Sequence, residues 1–261
     1  MHPIAFHLFG LKVYWFGVSL AVAFALGLWS AARRAPRTGV PPELISDAGL
    51  WIILGAVLGA RALYVATYWD NLMEDPVFPH ARWMEVFMIR RGGLVFYGGL
   101  VGAALACIIF ARRRKTALWK IADIFTPSIA LGYVFGRLGC LFNGCCFGRA
   151  CSLPWAIHYS PDHASGGAPV HPTQIYDSLL NVGLYALLAW LYRRKKFDGQ
   201  VFATDLMAYA AVRSSVELFR GDYTEAHRHA GLTPAHLVSI GIFLTGAVLF
   251  ARLRERATSV K

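Results

Sequence analysis

Seven apolar runs divide the chain, and each contains at least the 18 or so residues that a helix needs to cross a bilayer. They lie at residues 13–32, 47–69, 92–111, 121–139, 173–192, 201–219 and 234–251. The sixth run is the weakest, because Asp205, Arg213 and Glu217 interrupt it. The pattern predicts an all-α integral membrane protein with about seven transmembrane helices.

Composition agrees with a membrane protein, since 56% of the residues are hydrophobic and only 16% are charged. The net charge of +11 would suit a nucleic-acid partner, but the basic residues are arranged differently. Blocks of Lys and Arg follow alternate runs, which is the positive-inside pattern. They comprise Arg33, Arg34 and Arg37; Arg112, Arg113, Arg114, Lys115 and Lys120; Arg193, Arg194, Lys195 and Lys196; and Arg252, Arg254, Arg256 and Lys261. We therefore expect the N-terminus outside, the C-terminus in the cytoplasm, and no nucleic acid as partner.

The first run does not resemble a cleavable signal peptide, because it is too long and only Lys12 precedes it in place of a basic region. No linker rich in Gly, Ser or Pro separates two soluble domains. The sequence predicts one polytopic transmembrane domain over residues 1–261. Its outward loops are expected at about 70–91, 143–172 and 221–233.

Arg137 lies at the end of an otherwise largely apolar run. It also lies near the start of a glycine-rich segment, residues 136–149. An arginine at the centre of a bilayer costs about 2.5–3.5 kcal/mol, so it normally pairs with an anion, faces the protein interior or reaches the interface. Glycines let a ligand approach the backbone closely. Segments 92–99, 171–177 and 213–222 bring further polar residues to the same predicted depth. This convergence indicates a site for an anionic head group at the outer membrane surface.

The sixth run places four polar residues on one helical face, at spacings of four, four and three: Tyr209, Arg213, Glu217 and Arg220. Glu217 can pair with either arginine. One interpretation is a salt bridge that only joins helices. The other is a phosphate site, because guanidinium groups bind phosphate bidentately.

Four further residues have both structural and functional interpretations. Arg61 could bind substrate, snorkel, or pair with Asp70 or Asp123. His171 precedes Pro172, which is typical of a helix N-terminus. Gln174 and Asp177 could brace an outer loop or the arginines.

Four of the five cysteines cluster within twelve residues: Cys140, Cys145, Cys146 and Cys151. In an oxidising compartment, Cys145 or Cys146 could bridge to Cys151. Zinc with His158 or His163 is a weaker interpretation because no C-x-x-C spacing is present. Unbridged thiols are the third. We favour one disulfide or none, and we expect no metal and no cofactor. Cys107 is interpreted as a small buried apolar residue.

Taken in order along nearly the whole chain, these motifs resemble the bacterial prolipoprotein diacylglyceryl transferases. The resemblance lies in the Gly-Gly-Leu-Val-Phe-Tyr-Gly-Gly segment at residues 92–99, Gly-Arg-Leu-Gly at 136–139, the His-Pro-Thr-Gln-Ile-Tyr block at 171–176, and Arg213 with Glu217 and Arg220. It implies a seven-helix fold in the bacterial cytoplasmic (inner) membrane with the N-terminus outside. It also implies transfer of the diacylglyceryl group of phosphatidylglycerol to the lipobox cysteine of a prolipoprotein, with release of glycerol phosphate. The implied partners are phosphatidylglycerol, prolipoprotein signal peptides and membrane lipids.

The resemblance also implies residue roles. Arg137 and Arg213 correspond to essential arginines that would hold the phosphate. The resulting catalytic candidates are Arg137, Arg213, Tyr97 and Glu217. The candidates for substrate binding are Arg137, Asn143, Gly148, Arg220, His171, Arg61 and Tyr176.

The chain departs from the family pattern at several positions. Tyr97 replaces the usual His, which removes the obvious general base, so either the tyrosine hydroxyl serves or the substrate thiol ionises in the positive field. Cys140 and Cys145 replace Asn and Glu, Phe16 replaces Tyr, and Asp177 replaces Glu. Two alternatives therefore stay open. One is a diverged relative with another acceptor, and the other is a non-catalytic protein that binds or transports phospholipid.

Overall fold

The structure is a computed structural model that describes residues 4–8, 11–70, 86–88, 92–221 and 233–259. Within these ranges seven long helices follow a short hairpin. The hairpin pairs β1 (Ile4–Leu8) with β2 (Leu11–Tyr14) in antiparallel fashion. The helices are α1 (Trp15–Arg34), α2 (Pro42–Thr67), α3 (Phe96–Arg113), α4 (Leu118–Asn143), α5 (Thr173–Tyr192), α6 (Gln200–Glu217) and α7 (Pro234–Ser259). A 3-10 turn, Ala35–Thr38, extends α1.

The prediction of an all-α integral membrane protein is confirmed. Six of the described helices are long and apolar enough to span a membrane, and α6 is the one outside that set. Its charged residues, Asp205, Arg213 and Glu217, lower its hydropathy, as the interrupted sixth run indicated. The predicted outward loops at about 70–91 and 221–233 lie largely outside the described residues.

Several helix boundaries differ from the apolar runs. The third helix begins at Phe96 rather than at residue 92, because Gly92 and Gly93 adopt positive φ angles of 88° and 74°, which a right-handed helix does not allow. Apolarity alone also missed β2, which occupies the start of the first run. At the other end, α7 continues to Ser259, beyond the apolar residues.

The described chain forms two compact units, residues 1–38 with 122–261 and residues 39–121. The single domain over residues 1–261 stays a prediction. In the second unit, α2 and α3 pack with their backbones in close contact at Gly55, Gly59, Gly98 and Gly102. A Cβ atom on Gly59 would clash with the carbonyl oxygen of Gly98, so larger residues cannot replace these glycines without moving the helices.

In the first unit, a buried carboxylate fixes the start of α6. Asp123 on α4 accepts hydrogen bonds from Lys195 Nζ at 2.8 Å and from the backbone N–H groups of Gly199 at 2.9 Å and Phe202 at 3.0 Å. Asp123 is fully buried, so these three donors replace the water that the charge has lost. The position of α6, and of the arginine that it carries, is therefore tied to α4.

Candidate active site

The arginine that ends the apolar part of α4 contacts a carboxylate on α5. Arg137 Nε lies 2.7 Å from Asp177 Oδ2, in an ion pair whose alignment is not that of a hydrogen bond. Asp177 is only 2% exposed, and Asn181 Nδ2 donates a 2.9 Å hydrogen bond to its other oxygen. Arg137 also donates to the hydroxyl of Tyr133 at 2.5 Å and lies over that ring. The guanidinium is thus held from two sides.

A second carboxylate organises the arginines at the end of α6. Glu217 Oε2 lies 2.5 Å from Arg213 Nη1 and 4.0 Å from Arg220 Nε. Its other oxygen accepts a 2.9 Å hydrogen bond from Thr233, just before α7. The helical spacing correctly predicted the pair with Arg213. Arg220 also pairs with Glu217, but the expectation that it shares the helical face is wrong, because α6 ends at Glu217 and Arg220 lies beyond the helix, in a backbone bridge with Gly148. Nothing local to the sequence indicated Thr233.

These five charged residues form one group, which we call the arginine–carboxylate cluster: Arg137, Arg213, Arg220, Asp177 and Glu217. Asp177 interacts electrostatically with all three arginines. The rings of Tyr133 and Tyr209 meet edge to face, with centroids 5.7 Å apart, and so link α4 to α6. The sequence identified Tyr209 but missed Tyr133, although its position one turn before Arg137 was a usable signal.

The loop after α4 is joined to the cluster through the backbone. Gly148 N–H donates to the carbonyl of His171 at 2.9 Å, and Arg149 N–H donates to the carbonyl of Phe219 at 3.0 Å. A Cβ on Gly148 would lie 2.5 Å from that carbonyl oxygen of Phe219 and 2.7 Å from His171 Cβ, so only glycine fits here. Gly148 therefore draws three separate segments together.

His171 and Tyr176 lie beside this loop in an aromatic group with Trp155 and Phe219. His171 Nδ1 is 3.2 Å from the hydroxyl of Tyr176, which also accepts a 2.7 Å hydrogen bond from Trp155 Nε1. Burial and, to a smaller extent, Arg149 lower the pKa of His171, so its imidazole is neutral at pH 7. Asn143 is exposed at the end of α4.

Arg61 and Tyr97 belong to the other compact unit. Arg61 is buried, and it donates to the carbonyls of Val86 at 2.9 Å, Gly92 at 2.9 Å and Gly93 at 3.0 Å. It therefore supports the glycine segment that leads into α3. Tyr97, in the first turn of α3, is 66% exposed.

The cysteines of the described chain are all free thiols in the structure. Cys140, Cys145 and Cys146 place their sulfur atoms within 4.8 Å of one another. Hydrogen bonds from the thiols of Cys140 and Cys145 lower the pKa of Cys146, and Arg137 and Arg220 act in the same direction. The sequence showed that these cysteines cluster, but not that Cys151 would lie outside the group of three.

A family model described as prolipoprotein diacylglyceryl transferase matches residues 3–252. The chain belongs to this family. Three curated relatives share the name phosphatidylglycerol–prolipoprotein diacylglyceryl transferase. The protein from Finegoldia magna is 32% identical over 257 residues, which cover 98% of this chain and 97% of the relative. The protein from Sinorhizobium medicae is 35% identical over 273 residues, which cover 98% of this chain and 94% of the relative. The protein from Synechococcus elongatus is 35% identical over 240 residues, which cover 88% of this chain and 80% of the relative.

Family membership confirms the predicted resemblance and the prediction of an enzyme that transfers diacylglyceryl groups. The six apolar helices confirm that it is a multi-pass membrane protein. The roles of individual residues stay predictions, and the structure supplies the geometry from which they are proposed below.

Proposed function

We propose that this chain transfers the diacylglyceryl group of phosphatidylglycerol to the lipobox cysteine of prolipoproteins at the arginine–carboxylate cluster. Membership of the transferase family supports the reaction, since the named relatives cover nearly the whole chain. The arginine–carboxylate cluster supports this location for the reaction, because it gathers three guanidinium groups from α4, α6 and the residues after α6.

The observation that carries the proposal is the arrangement of N–H donors on Arg137. Its Nε faces Asp177 and its Nη2 donates to Tyr133. No residue in the described part of the chain accepts a hydrogen bond from its Nη1, and the same holds for Nη2 of Arg213. A lipid phosphate is a fitting acceptor for such donors, because guanidinium N–H groups and phosphate oxygens form charge-assisted hydrogen bonds.

In the proposed step, the thiolate of the lipobox cysteine attacks the glyceryl methylene carbon that bears the phosphate ester. A C–S bond forms and the C–O bond to phosphate breaks, so the departing oxygen takes the electron pair and glycerol phosphate leaves. Arg137 and Arg213 stabilise the charge that grows on that oxygen. Donors fixed before the reaction are the most effective means of such stabilisation.

The carboxylates of Asp177 and Glu217 are proposed to position the arginines. Asp177 holds Arg137 and Glu217 holds Arg213, so each guanidinium reaches the phosphate without first having to be ordered. We also propose that residues in and beside the loop after α4 shape the substrate site: Asn143, Gly148, His171, Tyr176 and Arg220. Arg61 supports the glycine segment before Tyr97. The thiol ionises in the positive field of the arginines, and the role of the Tyr97 hydroxyl in the proton step stays a prediction from the family pattern.

We further propose that the chain lies in the bacterial cytoplasmic (inner) membrane and binds prolipoprotein signal peptides, with no nucleic-acid partner. The basic blocks at residues 112–115 and 193–196 support a cytoplasmic position for those turns. A cysteine at Ser160 should react with an impermeant reagent added outside, and one at Lys196 should not. The reverse labelling would overturn the orientation.

The reaction is tested with purified protein, phosphatidylglycerol and a lipobox peptide. We expect the peptide to gain a diacylglyceryl group while glycerol phosphate appears in equal amount. Binding of phosphatidylglycerol without either product would instead indicate a lipid-binding protein. A lipid-modified product on some other acceptor would indicate a diverged transferase.

A further inference from the structure

Three thiols converge where α4 ends, in a place that the proposed reaction does not use. Cys140 lies in the last turn of α4, and Cys145 and Cys146 lie in the turn that follows. Their sulfur atoms are all within 4.8 Å of one another, and each is a free thiol. Cys151 belongs to the next segment, where its N–H donates to the carbonyl of Pro169.

The backbone that carries these thiols is held in place by α5. Gln174 Nε2 donates to the carbonyl of Cys145 at 2.7 Å, and Thr173 Oγ1 donates to the carbonyl of Cys146 at 2.7 Å. Cys146 itself has a φ of 62°, a conformation that non-glycine residues keep only where their surroundings enforce it. The three sulfurs are therefore brought together by the fold and not by chance rotation of flexible side chains.

The spacing of the sulfurs suits a metal ion. Zinc binds thiolate sulfur at about 2.3 Å, so two sulfurs on one ion lie roughly 3.8–4.0 Å apart, within the observed limit. The separation of Cys140 and Cys145 by four residues is also common among zinc ligands. A disulfide would use only two of these thiols and leave the third unexplained, whereas a metal ion uses all three.

We propose that Cys140, Cys145 and Cys146 form a three-thiolate site for a thiophilic divalent ion of the zinc class. Three thiolates and one divalent ion carry a net charge of −1. Arg137 and Arg220 both interact electrostatically with Cys146, so their positive charge balances the complex. The ion would fasten the end of α4 to the following turn, one helical turn from Arg137. A metal site here differs from the expectation from the sequence, in which the absence of a C-x-x-C motif favoured one disulfide or none.

Cadmium is a suitable probe, because its thiolate complexes absorb in the ultraviolet. Reduced, purified wild-type protein titrated with Cd²⁺ should develop this absorption with one ion per chain, and Zn²⁺ should displace it. Cys140→Ser and Cys146→Ser should each weaken binding at least tenfold. Cys151→Ser and Cys107→Ser, which change cysteines outside the group, should bind as the wild type does. Absence of saturable one-to-one binding, or equal weakening by the control variants, would overturn the proposal.

A second measurement on the wild-type chain does not depend on how the variants fold. We expect Zn²⁺ to protect Cys140, Cys145 and Cys146 from alkylation while Cys151 reacts equally with and without the ion, as read by mass spectrometry of peptides. Equal alkylation of all four, or recovery of a disulfide within the group from protein isolated without reductant, would contradict a metal site. Both measurements read binding directly, so failure of the proposed transfer reaction would leave them unaffected.

Discussion

Asp177 on α5 orients Arg137 on α4, with Oδ2 and Nε 2.7 Å apart at a position where the carboxylate is almost fully buried. Neither residue would be stable alone at this place, because a buried charge without a partner costs several kcal/mol. The pair explains how an arginine can be kept at the end of a largely apolar helix. It also fixes the direction in which the remaining guanidinium donors point.

Replacing Asp177 with Asn should therefore affect both stability and activity. We expect the free energy of unfolding to fall by about 3–5 kcal/mol, the range for breaking a buried ion pair. A displaced Arg137 should reduce transfer on the order of 100-fold. Asp177→Glu, the residue usual in the family, should keep most of the activity.

The matched control is Asp47→Asn, since Asp47 forms an exposed ion pair with Arg114 at 3.3 Å. Its loss should cost less than about 1 kcal/mol. Thermal unfolding in detergent and the transfer assay would check both variants. Equal effects of the two substitutions would show that the Arg137 pair has no special role.

Glu217→Gln tests whether Glu217 positions Arg213 or accepts a proton itself. The amide keeps an acceptor for Thr233 but no longer neutralises Arg213, so we expect transfer to fall 10- to 100-fold through misplacement of the guanidinium. The pH profile of the remaining activity should keep its shape. Loss of the acidic limb of the pH–rate profile would instead identify Glu217 as the general base. The control is Ser215→Ala, which changes an exposed residue on the same helix and should leave the rate unchanged.

Gly148→Ala should destabilise the loop after α4, because the new Cβ would meet the Phe219 carbonyl oxygen at 2.5 Å and His171 Cβ at 2.7 Å. Overpacking of this kind costs about 1–3 kcal/mol. Gly183→Ala is the control, since nothing lies within 4 Å of its Cβ position and alanine favours a helix interior by about 0.5–1 kcal/mol. We expect the melting temperature to fall for the first variant and to stay or rise for the second. The same shift in both would disprove the tight fit.

Much of this architecture could be predicted from the sequence, because helix formation in a membrane depends on local runs of apolar residues. The weak sixth run also marked α6 correctly as the helix that carries charge. Pairing between distant segments was harder to predict. Asp177 was expected to brace a loop or the arginines in general, but its partner, Arg137, depends on how α4 and α5 pack.

The cysteine group shows the same limit. Spacing along the chain placed four cysteines together, but it could not show that the sulfur atoms of Cys140, Cys145 and Cys146 lie close together while Cys151 lies outside that group. Gly148 was likewise interpreted as one of several glycines that let a ligand approach the backbone closely. Its tight contacts with Phe219 and His171 come from residues more than twenty positions away.

Tyr97→Phe tests the proton step. If the hydroxyl acts on the substrate thiol, its removal should lower kcat at least 100-fold, since general acid–base groups contribute factors of about 10²–10⁴. Tyr97→His should retain activity because it restores the residue usual in the family. Tyr68→Phe, at another exposed tyrosine of the same unit, is the control. A rate near that of the wild type for Tyr97→Phe would leave direct ionisation of the thiol as the remaining route.

The most direct test of the phosphate site is the rate of transfer from phosphatidylglycerol to a lipobox peptide by Arg137→Ala. We expect a loss of about 10³-fold or more, because a fixed charge-stabilising donor alone contributes 10²–10³. Arg137→Lys should recover little, since it lacks the planar fork of donors. Arg194→Gln, at a basic residue that contacts Trp190, should react at the rate of the wild type. A correctly folded Arg137→Ala protein with undiminished turnover would contradict the proposal that this arginine holds the lipid phosphate.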